Sequence, residues 1–183
     1  DDSGVYASGH VGLGHRRLSI IDLSPAGRQP MANEDESLWL VCNGEVYNFE
    51  ELKRELAARG HLFRSGTDSE VILHLYEQEG YGCVERLRGM FAFALWDSRS
   101  QTLLLARDRA GKKPLVYTIA DHAFLFASEI KALLEDPAVE TSVSEEALHH
   151  YLTYQHVPGP RTIFSSIQKL PPGHLLVLRD GNV

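Results

Sequence analysis

The chain has 183 residues, 43% of them hydrophobic, enough for one sizeable core, and a single domain is the expectation from length. Lys and Arg number 18 against 25 Asp and Glu, a net charge of -7, and no basic run exceeds Lys112-Lys113, so nucleic acid is not an expected partner. No uninterrupted apolar stretch approaches the ~18 to 20 residues of a membrane helix, the opening Asp1-Asp2-Ser3-Gly4 is unlike a signal peptide, and Cys42 and Cys83 stand singly among apolar neighbours. A soluble, cytoplasmic protein without disulfides or membrane contact is therefore expected, and its turn-like opening suggests the interior of something longer.

In chain order, Val11 to Ile21 reads as a strand with apolar groups on both faces, Val11 and Leu13 on one and Leu18 and Ile20 on the other, with Arg17 near its inner end. A loop rich in Pro, Gly and Asn leads to a second strand, Leu38 to Cys42. Asn43-Gly44 then reads as a turn into a helix, because this dipeptide is among the strongest turn formers. Phe49, Leu52 and Leu56 give that helix a buried stripe, Glu50 precedes Arg54 by one turn, and Gly60 ends it. Thr67-Asp68-Ser69-Glu70 fits a capping box for a second helix carrying Val71 and Leu75, with Asp68 in its first turn.

After a short third helix near Val84 to Leu87, Phe91 to Asp97 and Thr102 to Asp108 flank a polar turn and predict a β-hairpin. Pro114 to Ile119 and Ala123 to Ala127 predict a second antiparallel pair around Asp121-His122. Helices near Glu129 to Glu135 and Ser144 to Tyr154, a Pro/Gly-rich connector and a strand around His174 to Leu178 complete the chain. Helices mixed with consecutive hairpins argue for an α+β fold built on antiparallel sheets rather than a doubly wound parallel one. No GxGxxG or GxxxxGK[ST] run offers a phosphate loop.

Several residues admit both a structural and a chemical reading. Asn43-Gly44 is a turn, or it is a side-chain amide and a backbone N–H placed together as two donors for an oxyanion, with Glu45 beside them. Arg17 is a structural ion pair, or a fixed fork for a carboxylate. Asp68 is an acidic residue favoured by a helix dipole, or, with Glu45, an anion for an ammonium group. Together Arg17, Asp68 and Glu45 supply what a free α-amino acid requires. The nine histidines form no metal-ligand spacing, and no metal ligand is expected. Cys42 has no positioned base and reads as a small buried residue; Arg107-Asp108-Arg109 reads as a charged turn satisfying its own backbone; Lys112-Lys113, Arg86 and Arg88 read as solvated.

The segments "GHRRLSIIDLSPAGRQPM", "NGEVYNFEELK", "SGTDSEVILHLYEQEG", "RGMFAFALWD", "ARDRAGKKPL" and "FASEIKALL", in this order, resemble the glutaminase domain of glutamine-dependent asparagine synthetases, a class II glutamine amidotransferase. The likeness runs over nearly the whole chain, with residues 1–157 as the amidotransferase domain and 158–183 as a final strand region and connector toward a synthetase domain. It implies an N-terminal-nucleophile αββα fold, two stacked antiparallel sheets flanked by helices. It also implies that Arg17 grips the glutamine α-carboxylate, that Glu45 and Asp68 surround its amino group, and that Asn43 and the Gly44 N–H form the oxyanion hole.

In that family an N-terminal Cys attacks the glutamine amide with its own α-amino group as base, and the ammonia travels to a synthetase domain that uses ATP and Mg to activate aspartate. The resemblance further implies that this chain starts near the Asp of an Arg-Gly-Pro-Asp run, so that the nucleophile and first strand are expected to lie upstream. No cofactor is expected in this chain itself; glutamine, the synthetase domain of the same chain and a homodimer partner are the implied partners. Two rival readings are a non-catalytic scaffold domain like that of β-lactam-synthetase relatives, and a class II amidotransferase serving another acceptor.

Overall fold

The computed structural model describes residues 2–18 and 21–183; Asp1 and Ile20, both used in the sequence reading, lie outside them. The chain forms two compact units, Asp1–Ala106 with Leu176–Val183, and Arg107–Leu175. Among the described residues ten strands fall into three sheets, of two, five and three strands, and every pair of known register runs antiparallel. The α+β class with antiparallel sheets is as expected. No helix among the described residues is long and apolar enough to cross a membrane.

In the first unit, β1 (Asp2–Ser8) and β2 (Val11–Arg17) form a hairpin paired from Asp2 with Arg17 to Ser8 with Val11. The opening Asp-Ser-Gly is therefore strand, not turn: seven consecutive cross-strand pairs outweigh the local preference of these residues. β2 also stops at Arg17 rather than reaching Ile21. Leu18 is 71% exposed, and Ile20, the other residue of the expected second apolar face, lies outside the described residues.

The five-stranded sheet has the order β10-β6-β5-β4-β3, built from β3 (Met31–Ala32), β4 (Leu38–Val46), β5 (Gly89–Asp97), β6 (Thr102–Arg107) and β10 (Leu175–Arg179). α1 (Phe49–Ala58), α2 (Glu70–Glu79) and the short α3 (Cys83–Arg86) follow β4. Leu38, Leu40, Cys42 and Val46 of β4 form one core with Leu52 and Leu56 of α1 and with Val71, Ile72 and Leu75 of α2. That period-2 set meeting an i, i+4 stripe is what fixes the helices over the sheet. Gly60, at φ +99°, ends α1 as expected. Two sequence-predicted ionic features differ. Arg54 donates to the Glu50 carbonyl rather than its carboxylate, and Arg86 is bridged to Glu55 and Glu79 at 2.6 and 2.5 Å instead of being solvated.

In the second unit, β7 (Val116–Ala120) pairs with β8 (Ala123–Ala127) around Asp121 and His122, both at positive φ as a tight hairpin requires, and with β9 (Gln168–Lys169). α4 (Ile130–Leu133) and α5 (Glu145–Tyr154) complete it, α5 being capped by Ser144 Oγ, which accepts from Ala147 N–H at 3.2 Å. The charged triplet satisfies its own backbone, as the sequence predicts. The Asp108 carboxylate, 1% exposed, accepts the N–H groups of Ala110, Lys112 and Lys113, each at 3.0 Å. The Arg107 guanidinium donates to the carbonyls of Lys113, Leu170 and Gly111 at 2.7, 2.6 and 2.8 Å.

Removing the Asp108 carboxylate strands three amides of one loop. Asp108→Ala is expected to lower the unfolding free energy by about 2–4 kcal/mol in urea denaturation, and Asp108→Asn, which keeps one acceptor, by about half of that.

Candidate active site

Asn43-Gly44 lies within β4, not in a turn. Asn43 pairs with Ala92, Gly44 with Phe91 and Glu45 with Met90, and the strand ends only at Val46. The dipeptide's turn preference loses because Gly44 fits a place no other residue can take. Its φ is +144°, and a Cβ there would sit 2.6 Å from the Phe91 Cα, on top of the neighbouring strand.

The amides of β4 alternate between two edges. Tyr47 N–H donates to Arg88 O at 2.7 Å, so odd-numbered amides face β5 and even-numbered ones face the opposite edge. On that edge β3 reaches only Leu40. Past it, the Gln29 side chain replaces a strand: its Oε1 accepts from Cys42 N–H at 2.6 Å and its Nε2 donates to Cys42 O at 3.3 Å. At the far end of the strand, Asp68 Oδ2 accepts from Val46 N–H at 2.6 Å. Between these two caps stands Gly44, whose N–H has no partner among the described residues. Asn43 is half-buried beside it, its side-chain amide likewise making no hydrogen bond among them.

Arg17 ends β2 and is 9% exposed. Its guanidinium donates to the carbonyls of Asp22 and Ser24 and lies flat on Gly27, where a Cβ would come within 2.8 Å of Cζ. Neutral carbonyls position this cation without neutralising it, and no Asp or Glu among the described residues forms an ion pair with it. Five guanidinium N–H groups exceed those two acceptors, so donors remain for an anionic ligand.

Two carboxylates tie these pieces together. Asp22 accepts from Ser24 N–H at 2.8 Å and from Gly66 N–H at 2.7 Å, joining the loop that cradles Arg17 to the loop that carries Asp68. Asp68 then joins that loop to the end of β4. The Asp22 carboxyl is held below its ordinary range by the Ser24 side-chain and backbone hydrogen bonds and by Gly66. Asp68 is 5% exposed and uses Oδ1 on Thr67 Oγ1 at 3.2 Å, which leaves each oxygen a lone pair for another donor. The half-buried Glu45 carboxylate makes no hydrogen bond among the described residues.

The predicted capping box does not form. Asp68 precedes α2, Ser69 is its N-cap without a side-chain bond, and Glu70 instead accepts from Arg64 N–H, Ser65 N–H and Ser65 Oγ at 2.7, 2.9 and 2.5 Å. Thus all five predicted residues, Arg17, Asn43, Gly44, Glu45 and Asp68, lie on segments linked by direct bonds within one unit.

Sequence reasoning missed the residues that link them: His15, Asp22, Gln29 and Gly66. His15 sits one strand repeat before Arg17, and burial holds its imidazole below its ordinary value, with the Arg17 charge adding to this against the Cys42 carbonyl. As the neutral tautomer its Nε2–H donates to Cys42 O at 3.0 Å, leaving Nδ1 a buried acceptor without a partner among the described residues. The period-2 spacing of His15 and Arg17 was the available signal. Neither cysteine resembles a nucleophile. Cys42 belongs to the helix-facing core, and Cys83 is fully buried, its thiol pushed up to about 12 by burial and by Glu79.

Over residues 1–183 the chain matches the glutamine amidotransferase domain family, and it belongs to that family. It is 41% identical over 184 residues to asparagine synthetase (glutamine-hydrolyzing) 1 of Bacillus subtilis (strain 168), covering 100% of this chain and 29% of that protein. To asparagine synthetase (glutamine-hydrolyzing) 3 of the same organism it is 43% identical over 185 residues, covering 99% of this chain and 30% of the relative. The chain therefore spans under a third of the length of these curated relatives. The solved glutamine phosphoribosylpyrophosphate amidotransferase from B. subtilis superposes with a TM-score of 0.64 at 21% identity, over 93% of this chain and 33% of that one, a likeness of fold.

Two stability measurements test this architecture. Gly44→Ala is expected to cost at least about 2 kcal/mol in denaturant unfolding, because it combines an unfavourable φ with a backbone clash. His15 has a folded pKa below the unfolded 6.5, so its contribution is complete above that pH and is lost as pH falls toward the folded value. His15→Gln is accordingly expected to lose less stability than the parent between about pH 7.5 and 5.5, measured by urea denaturation at both.

Proposed function

We propose that this chain is the glutaminase part of an asparagine-synthetase-type enzyme. It takes the amide nitrogen of glutamine as ammonia for the ATP-dependent amidation of aspartate elsewhere in the same protein. The observation that carries the reading is the Gly44 N–H, without a partner among the described residues, flanked by capped amides on the β4 edge and next to the Asn43 amide. A sheet edge that is closed on both sides of one donor is a fixed electrostatic site, and such sites stabilise negative charge that appears during a reaction.

Glutamine is held at its α-amino-acid end. The guanidinium of Arg17 pairs with the α-carboxylate, and Asp68 and Glu45 accept from the α-ammonium. This orients the side-chain amide toward Asn43 and Gly44. Attack of the thiol on the amide carbon places a negative oxygen where the Asn43 Nδ2–H and Gly44 N–H donate; the C–N bond breaks as the nitrogen takes up the proton the base removed from the thiol, leaving a thioester and ammonia. Water then adds to the thioester, the C–S bond breaks, and glutamate and the thiol are released. The family resemblance assigns the nucleophile to an N-terminal Cys whose α-amine acts as base; Cys42 and Cys83 are unsuited by their burial. This half-reaction needs only glutamine and water, so ATP and Mg belong to the synthetase chemistry. The wider proposal includes residues 158–183 as the connector toward a synthetase domain, a cytoplasmic setting and a homodimer.

The whole protein assayed with glutamine and, separately, with ammonium salt tests this. Arg17→Ala is expected to raise the glutamine KM at least about 100-fold, as loss of a charge-assisted pair at a buried position does. Asn43→Ala is expected to lower glutamine-dependent kcat about 10²–10³-fold. Both variants should keep asparagine synthesis from ammonia. An Arg17→Ala enzyme with parental glutamine KM overturns the binding assignment.

A further inference from the structure

A second polar cluster lies outside the glutamine site, between the segment after β3 and the two helices. Glu34, His61 and His74 each bring one donor atom to a group whose members lie within 4.8 Å of one another. Glu77 Oε2 sits against both rings, 3.2 Å from His61 Nδ1 and 3.1 Å from His74 Nδ1, and Glu34 Oε2 is 4.0 Å from His74 Nδ1. Metal–ligand bonds of about 2.0–2.1 Å in a tetrahedron place neighbouring donor atoms about 3.3–3.4 Å apart. The Glu77 contacts to the two imidazoles, at 3.2 and 3.1 Å, are close to that spacing, and Glu34 Oε2 would move in from 4.0 Å to join them.

The far side of each ring shows what would hold it once a metal is bound. A ligating imidazole donates its other N–H to a fixed partner. His74 Nε2, on a side chain 2% exposed, has no hydrogen-bond partner among the described residues, and it faces Glu70 Oε1 at 3.9 Å, close enough to accept its N–H after a small shift. Glu70 is itself anchored by Arg64, Ser65 and the Ser65 hydroxyl. Gln78 Nε2 donates to His61 Nε2 at 2.8 Å, so a metal on His61 Nδ1 requires this amide to turn its Oε1 toward the ring N–H, while Asn33 Nδ2 fixes the other Glu77 oxygen at 2.8 Å. The Phe63 ring covers His74 edge-on, 4.6 Å between centroids.

We propose that Glu34, His61, His74 and Glu77 bind one divalent transition-metal ion of the zinc type. Two imidazoles and two carboxylates in this spacing suit Zn²⁺ and not Mg²⁺ or Ca²⁺, which take all-oxygen sites. The ion fastens the end of β3, the α1–α2 connector and α2 to one another. Through Glu70 it also braces the loop of Ser65 and Gly66 that leads to Asp68. Twelve residues lie between His61 and His74, a spacing that belongs to no local motif; the site exists only because α2 folds back beside the connector.

The test uses the untagged protein, stripped with a chelator and titrated with Zn²⁺ or Co²⁺ alone. One ion per chain, a tetrahedral Co²⁺ absorption spectrum and a melting temperature raised by about 5–10 °C at a hundredfold excess over Kd are expected. His74 is buried and its replacement can disturb folding, so the more exposed Glu34→Ala and His61→Ala serve as the variants. Each is expected to weaken Zn²⁺ binding at least about tenfold while leaving the metal-free melting temperature within about 2 °C. No Co²⁺ spectrum and no thermal shift at millimolar metal, or unchanged affinity in both variants, overturns the proposal. None of these readouts involves glutamine, so the result stands apart from the glutaminase reading.

Discussion

A single hydrogen bond, from Val46 N–H to the Asp68 carboxylate, organises the site. A sheet edge with unpaired amides ordinarily invites another strand. Here β3 covers the edge only as far as Leu40, and side chains close the rest of it: the Gln29 amide at Cys42 and the Asp68 carboxylate at Val46. Both caps reach in from loops, so the edge is sealed without a strand that would block the space over Gly44. One amide left between two sealed neighbours is rigid, since the strand on either side of it cannot move independently.

The same device recurs wherever a loop must hold its shape. Asp22 grips Ser24 and Gly66, Glu70 grips Arg64 and Ser65, and Asp108 grips Ala110, Lys112 and Lys113. An ionised carboxylate accepting backbone N–H groups makes a stronger bond than a neutral acceptor and needs no cationic partner. This explains how so acidic a chain buries charge, and why Arg17 stays available: the nearby carboxylate of Asp22 is occupied with amides, while the guanidinium receives only carbonyl oxygens.

Much of the architecture is legible along the chain. The apolar stripe of Phe49, Leu52 and Leu56, the hairpins around the Ser98–Gln101 and Asp121-His122 turns, and the helix near Ser144 to Tyr154 are local patterns, and each forms within a few residues of its expected place. The failures share a cause. Asn43-Gly44 reads as a turn because only the partner strand reveals that Gly44 lies against Phe91. The capping box at Thr67 fails because Ser65 and Arg64 compete for Glu70. The opening strand looks like a turn because its pairing with β2 is not written in its own residues.

What the sequence by itself determined is the helices, the main hairpins and the residue types suited to an α-amino acid, because periodicity and charge are properties of neighbouring positions. Ordered motifs along the chain also carried its family. Only the tertiary structure decided which groups face one another. Gln29 stands in for a strand beside Cys42, Asp22 joins two loops 44 positions apart, and His61 meets His74 across a helix junction. The physical reason is that hydrogen bonds and donor clusters depend on distance in space, and a chain that folds back brings together residues whose separation in sequence gives no signal of it.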